Sequence, residues 1–267
     1  MRSFHFLDAI CLFVMAASIL LETGSTSSGN AKPNADASPK TSTTNTKLEN
    51  EPAEQENPGL TPENRWDSDA SDKGLTLSEP DQLIAEYPGE PWGPRSVSAE
   101  QPIPKIKSGI FYYEVKILAR EFSNPIYIGL GPTKGIPRGK VIGRIEGGYA
   151  YDDKGRFWGH EVKGCHYSTF TKRPYVDGQP PFAKFVRSVV NDVVVEVFII
   201  GDVIGCGVNL KTRQIIYTRN GVLLKTTGLL VDSDADLFPN VSLSAPGSKI
   251  EANFGPKDFK FNINDLI

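Results

Sequence analysis

The stretch Gly201-Asp-Val-Ile-Gly-Cys-Gly-Val-Asn-Leu210, GDVIGCGVNL, gathers three glycines beside a carboxylate. A glycine-rich loop can cradle a phosphate, and a glycine-bearing strand can let a neighbour approach closely. The two readings lead to different folds. A Walker-type loop needs G-x-x-x-x-G-K-[S/T] feeding a helix whose free N–H groups face the anion, but Val-Asn-Leu follows Gly207. The dinucleotide fingerprint fails too, because the glycines fall at 201, 205 and 207 and no βαβ pattern surrounds them. What remains is alternation, with Val203, Gly205 and Gly207 on one side and Ile204, Cys206 and Val208 on the other. This is a strand in a wall, its glycines leaving room for a neighbouring backbone or a large side chain.

Moving outward, the same period recurs. In GIFYYEVKIL, Phe111, Tyr113, Val115 and Ile117 share one face and Tyr112, Glu114 and Lys116 the other, a half-buried strand. IYIGL (126–130) and GGYAYDD (147–153) precede the glycine stretch. RQIIYTRNGVLLKT (213–226) reads as a hairpin, since Asn220-Gly221 supplies the two positive-φ residues of a tight turn. LFPNVSLS (237–244), SKIEANFG (248–255) and FKFNI (259–263) follow. Short strands at this spacing, with no long amphipathic helix, predict an all-β, two-layer antiparallel sandwich.

Composition changes abruptly near Asn64. Residues 1–24 read as a signal peptide: Arg2 gives a positive start, and the apolar run Ala9–Leu21 is too short for a spanning helix. A short membrane anchor is the alternative. Residues 25–64 are rich in Ser, Thr, Asn, Pro and Glu and cannot bury enough apolar surface to offset the cost of ordering, so a disordered spacer is expected. The folded domain is expected over 65–267. A formal charge of −3 gives no electrostatic footprint for nucleic acid, and no later segment is long and apolar enough to span a membrane. Cys11 falls in the leader, which leaves Cys165 and Cys206, too few for a disulfide scaffold. Cys206 is expected as a buried free thiol.

Catalytic constellations do not assemble. His160 and His166 match no zinc spacing, and adjacent Cys165-His166 would point apart on an extended chain. Asp152-Asp153 precedes Lys154-Gly155 and reads as a turn. Neither a cofactor nor a metal is expected. Asn240-Val241-Ser242 is a glycosylation sequon inside an apparent strand.

The ordered series GIFYYEVKI, IYIGL, GGYAYDDKGRF, GDVIGCGVNL, IIYTRNGVLL, LFPNVSLSAPG and EANFGPKDFKFNI resembles a SPRY domain of the Ran-binding-protein type. With the leader in front, the chain is similar to the SPRY effectors secreted by plant-parasitic cyst nematodes. The resemblance implies a bent, concanavalin-like jelly roll without catalytic activity, whose edge loops bind partner proteins. It further implies secretion, delivery into the host cell cytoplasm, and a host partner such as an intracellular immune receptor or its associated factors. A monomer is expected. Two departures stand out. The Pro-Gly-Trp common in the family is replaced by Pro137-Arg-Gly-Lys140, and KFVRSVVNDVVVEVFII (184–200) is an apparent insertion, read either as an extra strand or hairpin arm on the sheet or as an exposed, aggregation-prone flap.

A recognition surface on a sandwich is built from loops, with its energy in aromatic and Arg anchors. Four stretches qualify: Trp92 and Arg95; Lys134, Ile136 and Arg138; Tyr149, Tyr151, Trp158 and His160; and Ser244, Ala245 and Pro246. Alternation is expected to send one of Tyr149 and Tyr151 inward. Replacing Arg95 and Arg138 is expected to weaken binding with little effect on melting. Asp202→Ala and Gly207→Val are expected to impair folding. The rival reading is a lectin-like carbohydrate binder using Trp158 and Tyr151 as aromatic platforms.

Overall fold

The computed structural model describes residues 64–89, 91–120, 124–178, 187–190, 193–196, 198–232 and 234–266. The expected leader and spacer lie outside these residues, Asn64 apart. The described residues fall in one compact unit, Ala53–Ile267. In chain order the strands begin with β1 (Thr76–Leu77), β2 (Ile84–Glu86), β3 (Arg95–Ser98), β4 (Ile110–Ala119) and β5 (Ile126–Gly131). Next come β6 (Tyr149–Asp152), β7 (Arg156–Trp158), β8 (His166–Tyr167), β9 (Pro174–Asp177), β10 (Arg187–Val190) and β11 (Val193–Glu196). The last are β12 (Val203–Asn209), β13 (Ile215–Arg219), β14 (Val222–Leu223), β15 (Phe238–Leu243) and β16 (Lys249–Asn253).

Two seven-stranded sheets form, in the orders β1-β2-β16-β4-β12-β13-β14 and β3-β15-β5-β6-β7-β9-β8. All their pairings are antiparallel. The expected two-layer antiparallel sandwich is therefore the observed fold. Its core runs between the sheets. Tyr217 stacks on Phe157 at 5.4 Å, and the Tyr113 hydroxyl donates to the Gly129 carbonyl at 2.6 Å, tying one sheet to the other.

The glycine stretch is β12, flanked by β4 and β13. Cys206 lies opposite Tyr113 and Tyr217, and Ile204, Cys206 and Val208 are all fully buried. Cys206 is a free thiol, pushed well above the ordinary thiol range by burial. On the other side, Tyr112 lies across the glycines. A Cβ on Gly205 would fall 1.9 Å from its hydroxyl oxygen, and one on Gly207 would fall 2.4 Å from the Phe111 carbonyl. The glycines admit a large side chain, as the alternation predicts.

One expectation is corrected here. Tyr112 and Glu114 do not face solvent but are 0% and 4% exposed. The C-terminal tail covers them. Phe259 meets Tyr112 edge-on at 5.0 Å, and the Glu114 carboxylate accepts the backbone N–H groups of Lys260 and Phe261 at 2.9 and 3.0 Å. A buried carboxylate is tolerated because these donors replace water.

The insertion carries a hairpin of its own, β10 against β11, with Arg187 opposite Glu196 and Val190 opposite Val193. Among the described residues it joins neither large sheet. The chain re-enters the core at Phe198, fully buried and 5.3 Å from the Tyr151 ring.

Candidate protein-binding rim

The free side of β3 is covered by a turn. Asp67 N–H and Asp72 N–H donate to the Ser98 and Ser96 carbonyls at 2.8 and 2.9 Å, so the edge presents few open backbone groups. The turn is shaped locally: the Asp67 carboxylate accepts from Asp69 N–H at 2.9 Å and Ala70 N–H at 3.2 Å, and Asp72 caps Gly74 at 2.9 Å. The loop between β5 and β6 folds over the serines of β3 and β15. Gly135 N–H donates to Ser98 Oγ at 3.1 Å, and Ile142 N–H to Ser242 Oγ at 3.0 Å. Lys134 ties this loop to the turn through Asp67 at 2.9 Å.

Between these segments and Pro91 lies a pocket of about 520 Å³, lined by Asp69–Gly74, Pro91, Arg95, Gly135, Ile136 and Arg138. Arg95 forms its wall. The guanidinium reaches Asp72 at 3.2 Å, donates to the Pro94 and Pro91 carbonyls at 3.0 and 3.1 Å, and lies over the Tyr87 ring at 5.4 Å. Gly74 permits this, since a Cβ there would be 2.6 Å from Arg95 Nε. At 3% exposed, Arg95 is a fixed part of the frame, which corrects the expectation that removing it spares the fold. Arg138 lines the pocket and is exposed, and Trp92, next in the chain to the lining residue Pro91, is 55% exposed. Ile136 is 8% exposed and packs with Val141, Ile142 and Trp158.

The fourth stretch abuts this rim without lining the pocket. Ser244 and Pro246 are half-buried, and Ala245 is buried. Gly247 N–H, in the same loop, donates to the Tyr87 carbonyl at 2.7 Å.

The third stretch is not a surface. Tyr149 and Tyr151 are two residues apart in β6, so they share a face, and both point inward at 9% and 3% exposure. The expectation that one would face outward is corrected by that spacing. Trp158 is 1% exposed, held by the Asp152 carboxylate through its indole N–H at 2.9 Å and flanked by Arg144 and Arg156 at 4.9 and 4.8 Å. His160 packs against the Tyr149 ring at 5.1 Å in a tilted arrangement, and burial pushes its pKa down to about 4. The aromatic platform a lectin would need from Trp158 and Tyr151 is therefore inside the protein. Asn240 is fully buried, its amide donating to Ser98 Oγ at 2.6 Å, so the sequon is closed in the folded chain.

The adjacent carboxylates are separately engaged. Asp152 forms the turn, accepting Lys154 and Arg156 N–H at 3.0 Å each and pairing with the Arg156 guanidinium at 2.6 Å. Asp153 pairs with buried Arg120 at 2.8 Å. Burial pushes Asp153 up to about 6 despite Arg120, and its Oδ1 has no hydrogen-bond partner. Cys165 and His166 stand apart in role: His166 meets Asp177 at 3.4 Å and the Tyr175 ring at 5.5 Å. No helix among the described residues is long and apolar enough to cross a membrane.

The SPRY domain family matches residues 110–257, from the start of β4 past the end of β16. The chain belongs to the SPRY domain family. SPRY domains are protein–protein interaction modules, and the matched span contains the glycine strand and the 131–140 loop of the rim. The turn at 69–74 and the Pro91–Arg95 segment lie before it. Ran-binding protein 9 of Xenopus tropicalis is 35% identical over 174 residues, 64% of this chain and 26% of that protein. Ran-binding protein 9 of Homo sapiens is 33% identical over 190 residues, 69% of this chain and 22% of that protein. The chain thus spans about a quarter of the length of these curated relatives. A solved human SPRY domain is similar at a TM-score of 0.48 and 18% identity, covering 70% of this chain and 98% of that one.

Sequence reasoning selected two of the three pocket-lining segments of this SPRY rim and missed the third. The Asp69–Gly74 turn carried a signal, a run of Asp, Ser and Gly directly after Trp66, but such a run says only that the chain turns.

Proposed function

We propose that the chain is a secreted, non-enzymatic effector that binds a host plant protein through the rim pocket and so modulates host immunity or is recognised by it. The observation that carries the reading is the pocket itself. A rigid Arg95–Asp72 wall and the apolar Ile136 line it together with an unburied cation, Arg138, and the exposed aromatic Trp92 follows the lining residue Pro91 in the chain. Exposed aromatic and Arg side chains on a fixed frame are the groups that concentrate binding energy. Membership of the SPRY family supports a protein partner over a small substrate. The leader read at 1–24 supports secretion, and the likeness to cyst-nematode effectors supports delivery into the host cytoplasm, with an intracellular immune receptor or its associated factors as the partner.

The test is affinity capture from host tissue with the full chain and with Trp92→Ala plus Arg138→Ala. A specific host protein should be retained by the first and lost by the second, with the melting temperature preserved. Identical captured sets would remove the rim from the interaction. Turnover of a substrate by the purified chain would overturn the non-enzymatic reading.

A further inference from the structure

The segment before β4 and the turn between β12 and β13 meet at one end of the first sheet, where Leu210 N–H donates to the Gly109 carbonyl at 3.0 Å. Between them is a pocket of about 350 Å³, lined by Lys105, Ile106, Lys107, Leu210, Lys211 and Arg213. It shares no lining residue with the rim. Every polar side chain in its lining is cationic, and no carboxylate lines it.

The acidic neighbour is the segment 232–236, which carries Asp232, Asp234 and Asp236. Asp236 pairs with Lys105 at 2.7 Å, but both side chains are more than half exposed, so this pair exchanges readily with solvent or another anion. Asp232 gives its backbone carbonyl to Arg213, while its carboxylate accepts Asp234 N–H at 2.8 Å. Lys107 and Lys211 are exposed and form no ion pair among the described residues. Arg213 Nε is buried without a hydrogen-bond partner.

Backbone geometry adds a second, independent observation. Arg213 sits at φ +62°, the left-handed position of its hairpin turn, where Gly or Asn is usual. The turn is locked around it: Arg213 N–H donates to the Asn209 carbonyl at 2.7 Å, and the Asn209 side chain accepts from Lys211 and Thr212 N–H at 3.1 and 3.0 Å. A large cation is thus held, against local preference, beside two free lysines. Ile106, 40% exposed, gives the pocket an apolar surface as well.

We infer that this pocket is a second protein-binding surface, one that takes a carboxylate-rich peptide segment carrying an aliphatic side chain. Four cations gathered with a single solvent-exposed counter-ion, Asp236, raise the local potential, and an incoming acidic segment relieves it while its aliphatic residue covers Ile106 and Leu210. The aliphatic component separates this site from a patch that takes any polyanion. It stands apart from the rim and does not depend on the partner assigned there.

The probe is a fluorescein-labelled synthetic peptide alternating glutamate pairs with leucine, titrated with the full chain while anisotropy is followed at low and high salt. Binding should weaken as salt rises. Lys107→Glu plus Lys211→Glu should weaken it by about tenfold or more without moving the melting temperature, because neither side chain is bonded among the described residues. Ile106→Ser should weaken it by a smaller factor, and Trp92→Ala plus Arg138→Ala should leave it unchanged. The inference fails if the peptide does not bind or if the charge-reversed chain binds it equally. It fails as well if a leucine-free peptide or inorganic polyphosphate binds as tightly, since the site would then be an unselective anion patch. Loss of the peptide in the rim variant would move the binding to the other pocket.

Discussion

The β12 wall and the rim pocket each contain closely packed glycines and a buried Asp–Arg pair, yet the two pairs stand in opposite surroundings. In the wall, Gly205 and Gly207 are filled in by Tyr112, and Asp202 is enclosed: it accepts from Arg219 at 2.8 Å, Asn220 at 2.7 Å and Ile199 N–H at 2.9 Å. In the rim, Gly74 is likewise filled in, by Arg95, but the Arg95–Asp72 pair borders a cavity. The same chemistry therefore means closure in one place and access in the other. What differs is whether a second layer lies over it. The tail covers the wall, and nothing among the described residues fills the rim pocket.

This contrast can be broken most directly at the wall. Gly205→Val and Gly207→Val should abolish the cooperative thermal transition seen by circular dichroism, since even a single methyl would overlap Tyr112 or the Phe111 carbonyl. A variant that melts like the parent would mean β12 is not packed as described. Asp202→Ala should cost about 3–5 kcal/mol in urea unfolding, because Arg219, 1% exposed, would be left without its counter-charge. Arg95→Ala should cost less, about 1–3 kcal/mol, since water in the adjoining pocket can reach Asp72. If the two losses are equal, the difference between an enclosed and a bordering pair is not real. Arg138→Ala should change stability by no more than about 0.5 kcal/mol, and only partner binding should respond.

A further effect is pH-dependent and involves His160 and Asp153, neither of which lines the rim pocket. His160 is pushed from 6.5 down to about 4, so the unfolded chain takes up that proton first, and its contribution to stability is lost as pH falls from about 6.5 to 4. Asp153 is pushed from 3.8 up to about 6, so the folded chain takes up that proton first, and its contribution rises as pH falls from about 6 to 4. The two oppose one another over nearly the same window. Asp153→Asn should therefore make the chain lose stability more steeply on acidification, by on the order of 2 kcal/mol between pH 7 and pH 4. His160→Gln should reverse the slope. Parallel pH profiles for both variants and the parent would show that neither group is perturbed in the folded state.

Much of the sandwich was legible because alternation is a local property. Ile204-Gly-Cys-Gly-Val208 and Phe111-Tyr-Tyr-Glu-Val115 each display their inner face in the sequence, and Asn220-Gly221 specifies a turn by backbone conformation alone. The inward pairing of Tyr149 and Tyr151 was available from the same rule, once their spacing of two is respected. The outer face was not legible in this way. Tyr112 and Glu114 read as solvent-facing until Phe259 and Phe261 are brought back across them. Arg95 read as a contact residue because exposure is the usual state of an arginine, and its partner Asp72 belongs to a turn whose place beside β3 depends on sheet-edge hydrogen bonds.

By itself, then, the sequence determined which residues form strands, which side of each strand is apolar, and that β12 is a wall and not a phosphate loop. Those properties depend on steric preference and on neighbours one or two residues away. Only the tertiary structure decided which polar groups are enclosed and which are offered: Glu114 beneath the tail, Arg95 against Asp72, Arg138 in the pocket lining, and Arg213 beside Lys107. Burial of a charge is set by whatever the folded chain brings over it from far along the sequence, and no local pattern contains that information.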